Sequence, residues 1–279
     1  MMRLGYNTNG FAHHDLISAI DVLAEIGYKS VAITLDHGAL NPYSDHLTDD
    51  LARVAERLAR HNMRSVIETG ARFLLDARVK HEPTLMTADA EARQRRVGFL
   101  RHAIEIAAAL DSDCVSLWSG ILRDEISDAA AFERLVSALS PVVEHAKAFG
   151  VVIGFEPEPG MFIDTMERYA ELIREVDSAT LKLTLDVGHL HCLGEGPIAE
   201  QIDRWRDHIV NVHIEDMRRG VHEHLMFGEG EIEFPPLLDA LRQIGYQGGL
   251  HVELSRHSHM APEAAARSFE FLAGLLAVS

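Results

Sequence analysis

The sequence predicts a parallel (β/α)8 barrel that occupies the whole chain, residues 1–279, as one domain. Short β-rich runs alternate from end to end with longer amphipathic stretches. The β-rich runs show little polar alternation, which indicates strands buried on both faces, as in a parallel sheet. The length of 279 residues also agrees with such barrels, which typically take about 250 residues.

Eight segments have the length and composition of buried strands. They are residues 3–8, 29–35, 63–69, 113–118, 151–156, 181–186, 208–214 and 248–254. The carboxyl ends of the strands in such a barrel meet on one face, where active sites lie. Residues far apart in the sequence should therefore come together there.

Eight amphipathic segments follow the strands, with apolar residues recurring every three or four positions as in helices with one buried face. They are residues 15–27, 47–62, 88–110, 129–150, 164–176, 197–205, 234–245 and 262–276. An open, doubly wound sheet is the competing topology. No GxGxxG or Walker A pattern follows the first strand, which disfavours the nucleotide-binding form of that alternative.

The composition limits the classes of function. With 26 Lys and Arg against 43 Asp and Glu, the formal net charge is −17, so we expect no nucleic-acid partner. Only Cys114 and Cys192 are present, and they do not suggest a disulfide scaffold. The amino terminus lacks the apolar segment of a signal peptide, and no apolar run approaches the length of a membrane span. We therefore expect a cytoplasmic protein without a membrane partner.

Four side chains that bind metals in many proteins stand at the carboxyl ends of four successive predicted strands. They are Glu156, Asp186, His213 and Glu253. Three carboxylates and one imidazole in one small space would repel severely unless a divalent cation neutralised them. The sequence thus favours a metal enzyme with one divalent ion. The donor set suits Mn²⁺, Co²⁺ or Mg²⁺ and also accommodates Zn²⁺.

Five motifs give the chain a resemblance to the sugar phosphate isomerase/epimerase superfamily, the xylose isomerase-like TIM barrels. That superfamily includes ketose 3-epimerases, hydroxypyruvate isomerase and inosose dehydratase. The motifs are FEPEPG (155–160), LTLDVGHL (183–190), NVHIEDMR (211–218), GEGEIEF (228–234) and HVELS (251–255). Each motif alone is moderately specific, and their order at successive strand ends is much more so. The resemblance covers essentially the whole chain and implies that the four side chains above coordinate one metal ion.

The resemblance also implies a reaction. In the ketose epimerases two metal-bound glutamates form an acid/base pair, which corresponds here to Glu156 and Glu253. One would remove the proton α to the substrate carbonyl, and the other would return it through an enediolate. The implied activity is isomerisation or epimerisation of a sugar or sugar-like hydroxy-carbonyl compound. A metal-assisted hydride shift is the rival mechanism within the superfamily.

The same resemblance gives candidates for substrate binding. His189 completes a D-x-x-H pattern and Arg218 lies five residues after His213, where relatives contact substrate oxygens. Glu158 is a third candidate, although the prolines on either side of it depart from the epimerase loops. His224 precedes the GEGEIEF segment, where relatives present a histidine to the site.

Other residues near the predicted site have weaker assignments. His222 is the alternative to His224, and Trp118 is either an apolar wall for a sugar or a core residue. The loop after the third strand carries a basic group that either closes over an anionic substrate or is simply solvated. Its members are Arg72, Arg78, Lys80 and His81. Glu68 is a candidate for the pocket wall.

Three alternative functions remain open at this point. A dehydratase of a keto-polyol, of the inosose type, would use the same ligand set. An apurinic endonuclease would need further histidines after strands three and four, where the sequence reads IETG and LWSG. A metal-free binding barrel is the third alternative, because fold alone does not determine function. Oligomers are common among the relatives, but the chain has no diagnostic interface pattern.

Overall fold

Eight parallel strands close into a barrel in the computed structural model, which describes residues 2–278. The strands, in chain order, are β1 (Arg3–Asn7), β2 (Ser30–Thr34), β3 (Arg64–Glu68), β4 (Val115–Leu117), β5 (Ile153–Phe155), β6 (Leu181–Asp186), β7 (Ile209–Ile214), β8 (Asp216–Arg218), β9 (Val221–Leu225) and β10 (Gly249–Val252). Strands β1 to β7 and β10 form the barrel, which closes where β1 pairs with β10. The predicted (β/α)8 barrel is confirmed.

Helices surround the barrel, and all of them except α6 (Val187–Leu193) match the amphipathic segments of the sequence. They are α1 (Leu16–Ile26), α2 (Leu47–His61), α3 (Ala90–Ala109), α4 (Asp128–Phe149), α5 (Met166–Val176), α6 (Val187–Leu193), α7 (Ile198–Arg204), α8 (Phe234–Gln243) and α9 (Ala261–Val278). Gly27 and Gly150 end α1 and α4 with φ angles of 124° and 69°, where a side chain would be strained. Among residues 2–278, no helix combines the length and apolar character needed to cross a bilayer.

Two elements on the carboxyl-terminal face were not predicted. The short helix α6 begins directly after β6, and its first turn is capped by the Asp186 side chain, which accepts from the His189 N–H. Strands β8 and β9 form an antiparallel hairpin outside the barrel. Both elements contact one another, so they build one wall above the barrel opening.

The core lies mainly between the barrel and its helices. Ile20, Phe99, Leu135 and Leu172 are fully buried on helices that face the strands. Burial of each such side chain contributes roughly 1.5–3 kcal/mol relative to exposure. This apolar layer fixes the strands and therefore the positions of the side chains at their carboxyl ends.

Candidate metal centre and active-site cavity

The four side chains that the sequence predicts as metal ligands meet at the carboxyl ends of four neighbouring strands. They are Glu156 after β5, Asp186 at the end of β6, His213 in β7 and Glu253 after β10. One ligand atom from each side chain lies within 4.8 Å of the other three. Because β5, β6, β7 and β10 are consecutive in the barrel, the convergence follows from the strand order.

The ring of His213 lies at the centre of this cluster, with carboxylates on both of its edges. Its Nδ1 lies 2.9 Å from Glu156 Oε1 and 2.9 Å from Glu253 Oε2. On the opposite edge, its Nε2 lies 2.9 Å from Glu68 Oε1 at the end of β3. A carboxylate in this position fixes the tautomer of a metal-binding histidine. Nε2–H donates to Glu68, and Nδ1 keeps its lone pair for an ion.

A chain of buried polar groups supports this ring from within the barrel. Asn211 Nδ2 donates to Glu68 Oε1 at 3.3 Å, which leaves Asn211 Oδ1 to accept from His251 Nδ1 at 2.8 Å. Burial lowers the pKa of His251 well below its ordinary value, so the neutral ring accepts at Nε2 from Ser30 Oγ, 2.8 Å away. The chain of partners holds Glu68, and through it His213, in a fixed position.

The electrostatics of the cluster favour extra protons when no ion is bound. Burial raises the pKa of Glu156 to about 8, and the charges of Glu253 and Asp186 act in the same direction. Burial disfavours the charged form of His213, but the neighbouring carboxylates, above all Glu156, raise its pKa well above the ordinary value. Burial also opposes ionisation of Glu253, yet His213 lowers the pKa of that carboxyl. A divalent cation would replace the protons on His213 and Glu156.

Asp186 has a second acid behind it that the sequence analysis did not single out. Glu215 is fully buried. Within the described part of the chain, no donor forms a hydrogen bond to either carboxylate oxygen of Glu215 or to Asp186 Oδ2. Burial and the charge of Asp186 raise the pKa of Glu215 well above its ordinary value. Glu215 is therefore a neutral acid, whose O–H can donate to Asp186. An acid directly after the apolar strand β7, two residues beyond His213, was the available signal.

A cavity of about 560 Å³ opens at this centre. Four of the five side chains predicted to bind substrate line it: Trp118, Glu158, His189 and His224. The fifth, Arg218, is exposed and lies outside the cavity lining. Its guanidinium donates to the Glu229 carbonyl oxygen at 3.0 Å. The structure therefore gives no support to a substrate contact from Arg218.

One wall of the cavity is formed by Trp118 and the two side chains that pack against its ring. Trp118 is 8% exposed, with the His81 ring edge-on at 5.7 Å between centroids. The guanidinium of Arg96 also lies on Trp118, with the Arg96 Cζ atom 5.0 Å from the centroid of the Trp118 ring. Arg96 is fully buried and donates to the Thr69 carbonyl oxygen at 2.7 Å. The sequence analysis missed Arg96, because nothing in the pattern of α3 separates a buried arginine from a solvated one.

The cavity rim is basic, in contrast to the acidic composition of the chain. Three members of the predicted basic loop line it, Arg72, Lys80 and His81, whereas Arg78 does not. Loops after β1 and β10 add three residues that the sequence analysis missed: His13, Arg256 and His259. Arg72 donates to the Asn9 carbonyl oxygen at 2.7 Å, which ties the predicted loop to the loop after β1.

A second cluster of potential ligands lies beside the carboxylates. Ring nitrogens of His189, His222 and His224 lie within 4.8 Å of one another. Burial lowers the pKa of His189 to about 4, and burial also lowers the pKa of His222. His189 and His222 are therefore neutral near pH 7. Sequence reasoning treated His222 and His224 as alternatives, but the structure brings both to the site.

Comparison with known proteins supports this architecture. A family model described as xylose isomerase-like TIM barrel matches residues 20–275. An uncharacterized protein of Methanocaldococcus jannaschii is 30% identical over 74% of this chain and 80% of its own length. The L-ribulose-5-phosphate 3-epimerase UlaE of Shigella flexneri is 24% identical over 77% of this chain and 75% of its own. Inosose dehydratase of Lacticaseibacillus casei is 27% identical over a match that spans about half of each chain (50% and 51%).

Solved structures with the same fold include proteins described as epimerases. A D-tagatose 3-epimerase-like protein superimposes with a TM-score of 0.79 at 25% identity, over 99% of this chain and 98% of its own. A structure described as IolI protein with a bound zinc atom reaches a TM-score of 0.79 at 19% identity, over 98% of both chains. The closed barrel and the family match over most of the chain lead to one conclusion. The protein belongs to the xylose isomerase-like TIM barrel family.

Proposed function

We propose that the protein is a divalent-metal-dependent isomerase or epimerase of a sugar or sugar-like hydroxy-carbonyl compound. One observation carries the proposal. Two carboxylates, Glu156 and Glu253, approach the same ring nitrogen of His213 at 2.9 Å each, and both line the cavity. A proton transfer between two faces or two carbons of a substrate requires two acid/base groups next to the same point.

The residues of the centre fit a divalent cation. Three carboxylate side chains and one imidazole converge within 4.8 Å. This oxygen-rich donor set suits Mn²⁺, Co²⁺ or Mg²⁺ and accommodates Zn²⁺. The zinc in the structure described as IolI protein supports a metal in this fold. When bound, the ion would polarise the substrate carbonyl and stabilise the negative charge that develops on its oxygen.

The two glutamates would carry the proton. One carboxylate removes the proton from the carbon next to the substrate carbonyl. The other returns a proton to the opposite face or to the neighbouring carbon, which gives an epimer or an isomer. Asn9 Nδ2 donates to Glu253 Oε1 at 2.8 Å, and this hydrogen bond both orients Glu253 and stabilises its ionised form.

The remaining cavity residues would hold the substrate. Trp118 offers an apolar face to the C–H side of a sugar ring or chain. The Arg96 guanidinium over its ring and the edge-on His81 ring hold Trp118 in place. Glu158 is half-buried, and burial together with Glu156 raises its pKa well above the ordinary value. The neutral carboxyl of Glu158 can then both donate to and accept from substrate hydroxyls.

The relatives support a sugar-like substrate. UlaE is described as an L-ribulose-5-phosphate 3-epimerase, and one solved structure of the same fold is described as a D-allulose 3-epimerase in complex with D-allulose. The positively charged side chains of Arg72 and Lys80 on the cavity rim also suit a substrate with an anionic group at one end.

The test is an assay of the metal-loaded protein in D₂O with a panel of ketoses and ketose phosphates. Proton transfer predicts an epimer or isomer of unchanged carbon skeleton, with solvent deuterium at the carbon that exchanges. A product without deuterium would indicate a hydride shift and remove the acid/base roles of Glu156 and Glu253. No turnover with any of the four metals and no stoichiometric metal content would contradict the proposal as a whole.

A keto-polyol dehydratase is the second candidate, and the inosose dehydratase relative favours it. The same α-proton abstraction would be followed by loss of a β-hydroxyl. Product mass separates the two reactions, because isomers keep the mass of the substrate whereas dehydration removes one water.

A further inference from the structure

We propose that the side-chain amide of Asn7 is a specificity-determining donor, which binds an oxygen atom of the substrate beside Glu253. The inference rests on the proposed function, because it names one contact to the sugar-like compound that the cavity would hold. Asn7 is the last residue of β1, is 2% exposed and lines the cavity. A buried amide needs partners for its oxygen and for both of its N–H groups.

The strand register places Asn7 next to Glu253 at the mouth of the barrel. Strands β1 and β10 are parallel, with Gly5 opposite His251. The His251 ring occupies the space beside Gly5, where a Cβ atom would overlap it, so both positions face the barrel interior. Side chains two residues further along a strand lie on the same face. Asn7 and Glu253 therefore also point inward, side by side.

Two donors fix the orientation of the Asn7 amide. The Asn9 backbone N–H donates to Asn7 Oδ1 at 3.0 Å, and the Thr34 hydroxyl donates to the same oxygen at 2.8 Å. Because a backbone N–H can only donate, the atom that it faces must be the amide oxygen. The oxygen thus has two protein partners, and the NH₂ group lies on the other side of the amide.

The NH₂ group of Asn7 has no acceptor within residues 2–278. Both hydrogen bonds of this side chain are made by Oδ1, and Nδ2 itself is not fully enclosed by protein. Since the residue as a whole is buried and lines the cavity, the open side of Nδ2 faces the cavity. An oxygen atom of the substrate can then accept from this group.

The surroundings indicate which part of the substrate Asn7 would bind. Asn9 Nδ2 donates to Glu253 Oε1 at 2.8 Å, so the loop that fixes the Asn7 amide also fixes a carboxylate proposed for proton transfer. The contacted oxygen is then one carried by the reacting carbon or by its neighbour. Glu158 follows β5, which is four strands away from β1 in the eight-stranded ring. Asn7 and Glu158 would therefore hold the substrate from opposite sides of the cavity.

A donor of this kind selects substrates by the oxygen atoms that they carry. A compound without the contacted oxygen would leave the buried N–H groups of Asn7 unpaired when it fills the cavity. Sites built to bind a hydroxyl reject the analogue that lacks it for this reason. The expected substrate class is therefore a ketose that carries a hydroxyl at the contacted position.

Calorimetric titration of the full-length, Mn²⁺-loaded protein tests the contact without any assay of activity. The probes are D-fructose, D-tagatose and D-allulose, and then the single-deoxy analogues of the ketose that binds best. Asn7→Ser removes the amide but keeps a hydroxyl that can accept the Asn9 N–H. Asn41→Ser is the matched control, because Asn41 Oδ1 accepts the Tyr43 N–H at 2.9 Å in the same local arrangement and lies outside the cavity lining.

We expect Asn7→Ser to raise the Kd of the best ketose about tenfold, with unchanged Mn²⁺ content, and Asn41→Ser to leave it within about twofold. One deoxy analogue should bind the wild type about tenfold more weakly than its parent and lose nothing further in Asn7→Ser. The other analogues should lose the same factor in both proteins. Thr34→Val, which removes one donor to the amide, should weaken binding by a smaller factor and gives a second reading if Asn7→Ser does not fold.

Three outcomes separate this inference from the proposed function. Equal Kd values in Asn7→Ser and the wild type, or an equal further loss for every analogue, overturn the inference alone. Binding that depends on Asn7 without turnover of any ketose contradicts the proposed reaction and leaves the contact standing. A wild type that binds none of the ketoses contradicts both the inference and the proposed substrate class.

Discussion

The carboxylate centre and the three-histidine cluster are neighbours on one face of the barrel, but they are built from different kinds of structure. The carboxylate centre comes from four adjacent barrel strands, and the side chains of Asp186 and His213 are 0% and 1% exposed. The histidine cluster comes from a short helix and a hairpin outside the barrel, and two of its three members are only half-buried. Ligands on strand ends are fixed by the core of the whole domain, whereas ligands on a hairpin depend on local contacts.

The groups that orient the two sets of ligands differ in the same way. A carboxylate, Glu68, and a buried polar chain to Ser30 lie behind His213. Backbone carbonyls lie behind His189 and His224. The charge of Glu68 makes the His213 ring a stronger base, while the neutral carbonyls only set direction. We therefore expect changes in the carboxylate centre to have the larger effects.

The largest effect is expected from Glu156→Gln or Glu253→Gln. Each change removes a carboxylate that the proposed reaction uses both as a metal ligand and for proton transfer. Activity should fall by at least the ~10²–10⁴-fold that general acid–base steps contribute, with an unchanged circular dichroism spectrum. Kinetics on the best substrate measure the loss, and retention of wild-type kcat/KM in either variant would remove the proton-transfer roles.

A smaller effect is expected from Glu68→Gln, which keeps the shape of the side chain but removes the charge behind His213. Metal affinity at the carboxylate centre should fall by about 10–100-fold, as is usual when such a supporting group is lost. Calorimetric titration with Mn²⁺ measures this change. Glu229→Gln, on an exposed residue between β9 and α8, is the control and should leave the affinity unchanged. Equal affinities in Glu68→Gln and wild type would mean that the buried chain is only structural.

Much of this arrangement could be predicted from the sequence. The parts that could not be predicted were hidden for physical reasons. The convergence of the four candidate ligands in the carboxylate centre was predictable because parallel strands of a barrel must end on one face. Helix α6 has only seven residues, too few for a helical period to be visible. The β8–β9 hairpin carries no apolar alternation, since all five residues of β9 are partly or fully exposed. The pairing of His222 with His189 therefore had no signal in the sequence.

The two clusters should also respond to pH in opposite directions in the metal-free protein. The folded pKa of Glu156 is raised to about 8, so its contribution to stability is present below about 4.5 and is lost as pH rises through 8. The pKa of His213 is also raised, so its contribution to stability is likewise lost as pH rises above its ordinary pKa of 6.5. His189 has a folded pKa lowered to about 4, so its contribution rises with pH between about 4 and 6.5.

Of these two clusters, only the carboxylate centre still loses protons above pH 6.5. The melting temperature of the metal-free protein should therefore fall between pH 6.5 and 8. A metal ion at 100 times its Kd would add about 2.7 kcal/mol to the free energy of unfolding. The increase in Tm on adding Mn²⁺ should be larger at pH 8 than at pH 6.5, because the ion displaces fewer protons at pH 8. Differential scanning calorimetry with and without chelator measures both trends. Glu156→Gln should flatten the fall, and a metal-free Tm that rises over this range would contradict the assignment of raised pKa values.

The smallest effect is expected at Arg218, where the resemblance to the family and the geometry of this chain disagree. Relatives suggest that an arginine in this position binds substrate, yet here the side chain is exposed and donates to the Glu229 carbonyl oxygen at 3.0 Å. Because Arg218 does not line the cavity, Arg218→Ala should alter kcat/KM by about twofold or less, and exposed substitutions of this kind usually change stability by no more than about 0.5 kcal/mol. Steady-state kinetics provide the measurement, with Arg219→Ala, the exposed neighbour, as the matched control. A tenfold rise in KM confined to Arg218→Ala would mean that the hairpin moves toward the cavity when substrate binds, and the outer wall of the site would then be as adaptable as the barrel strands are fixed.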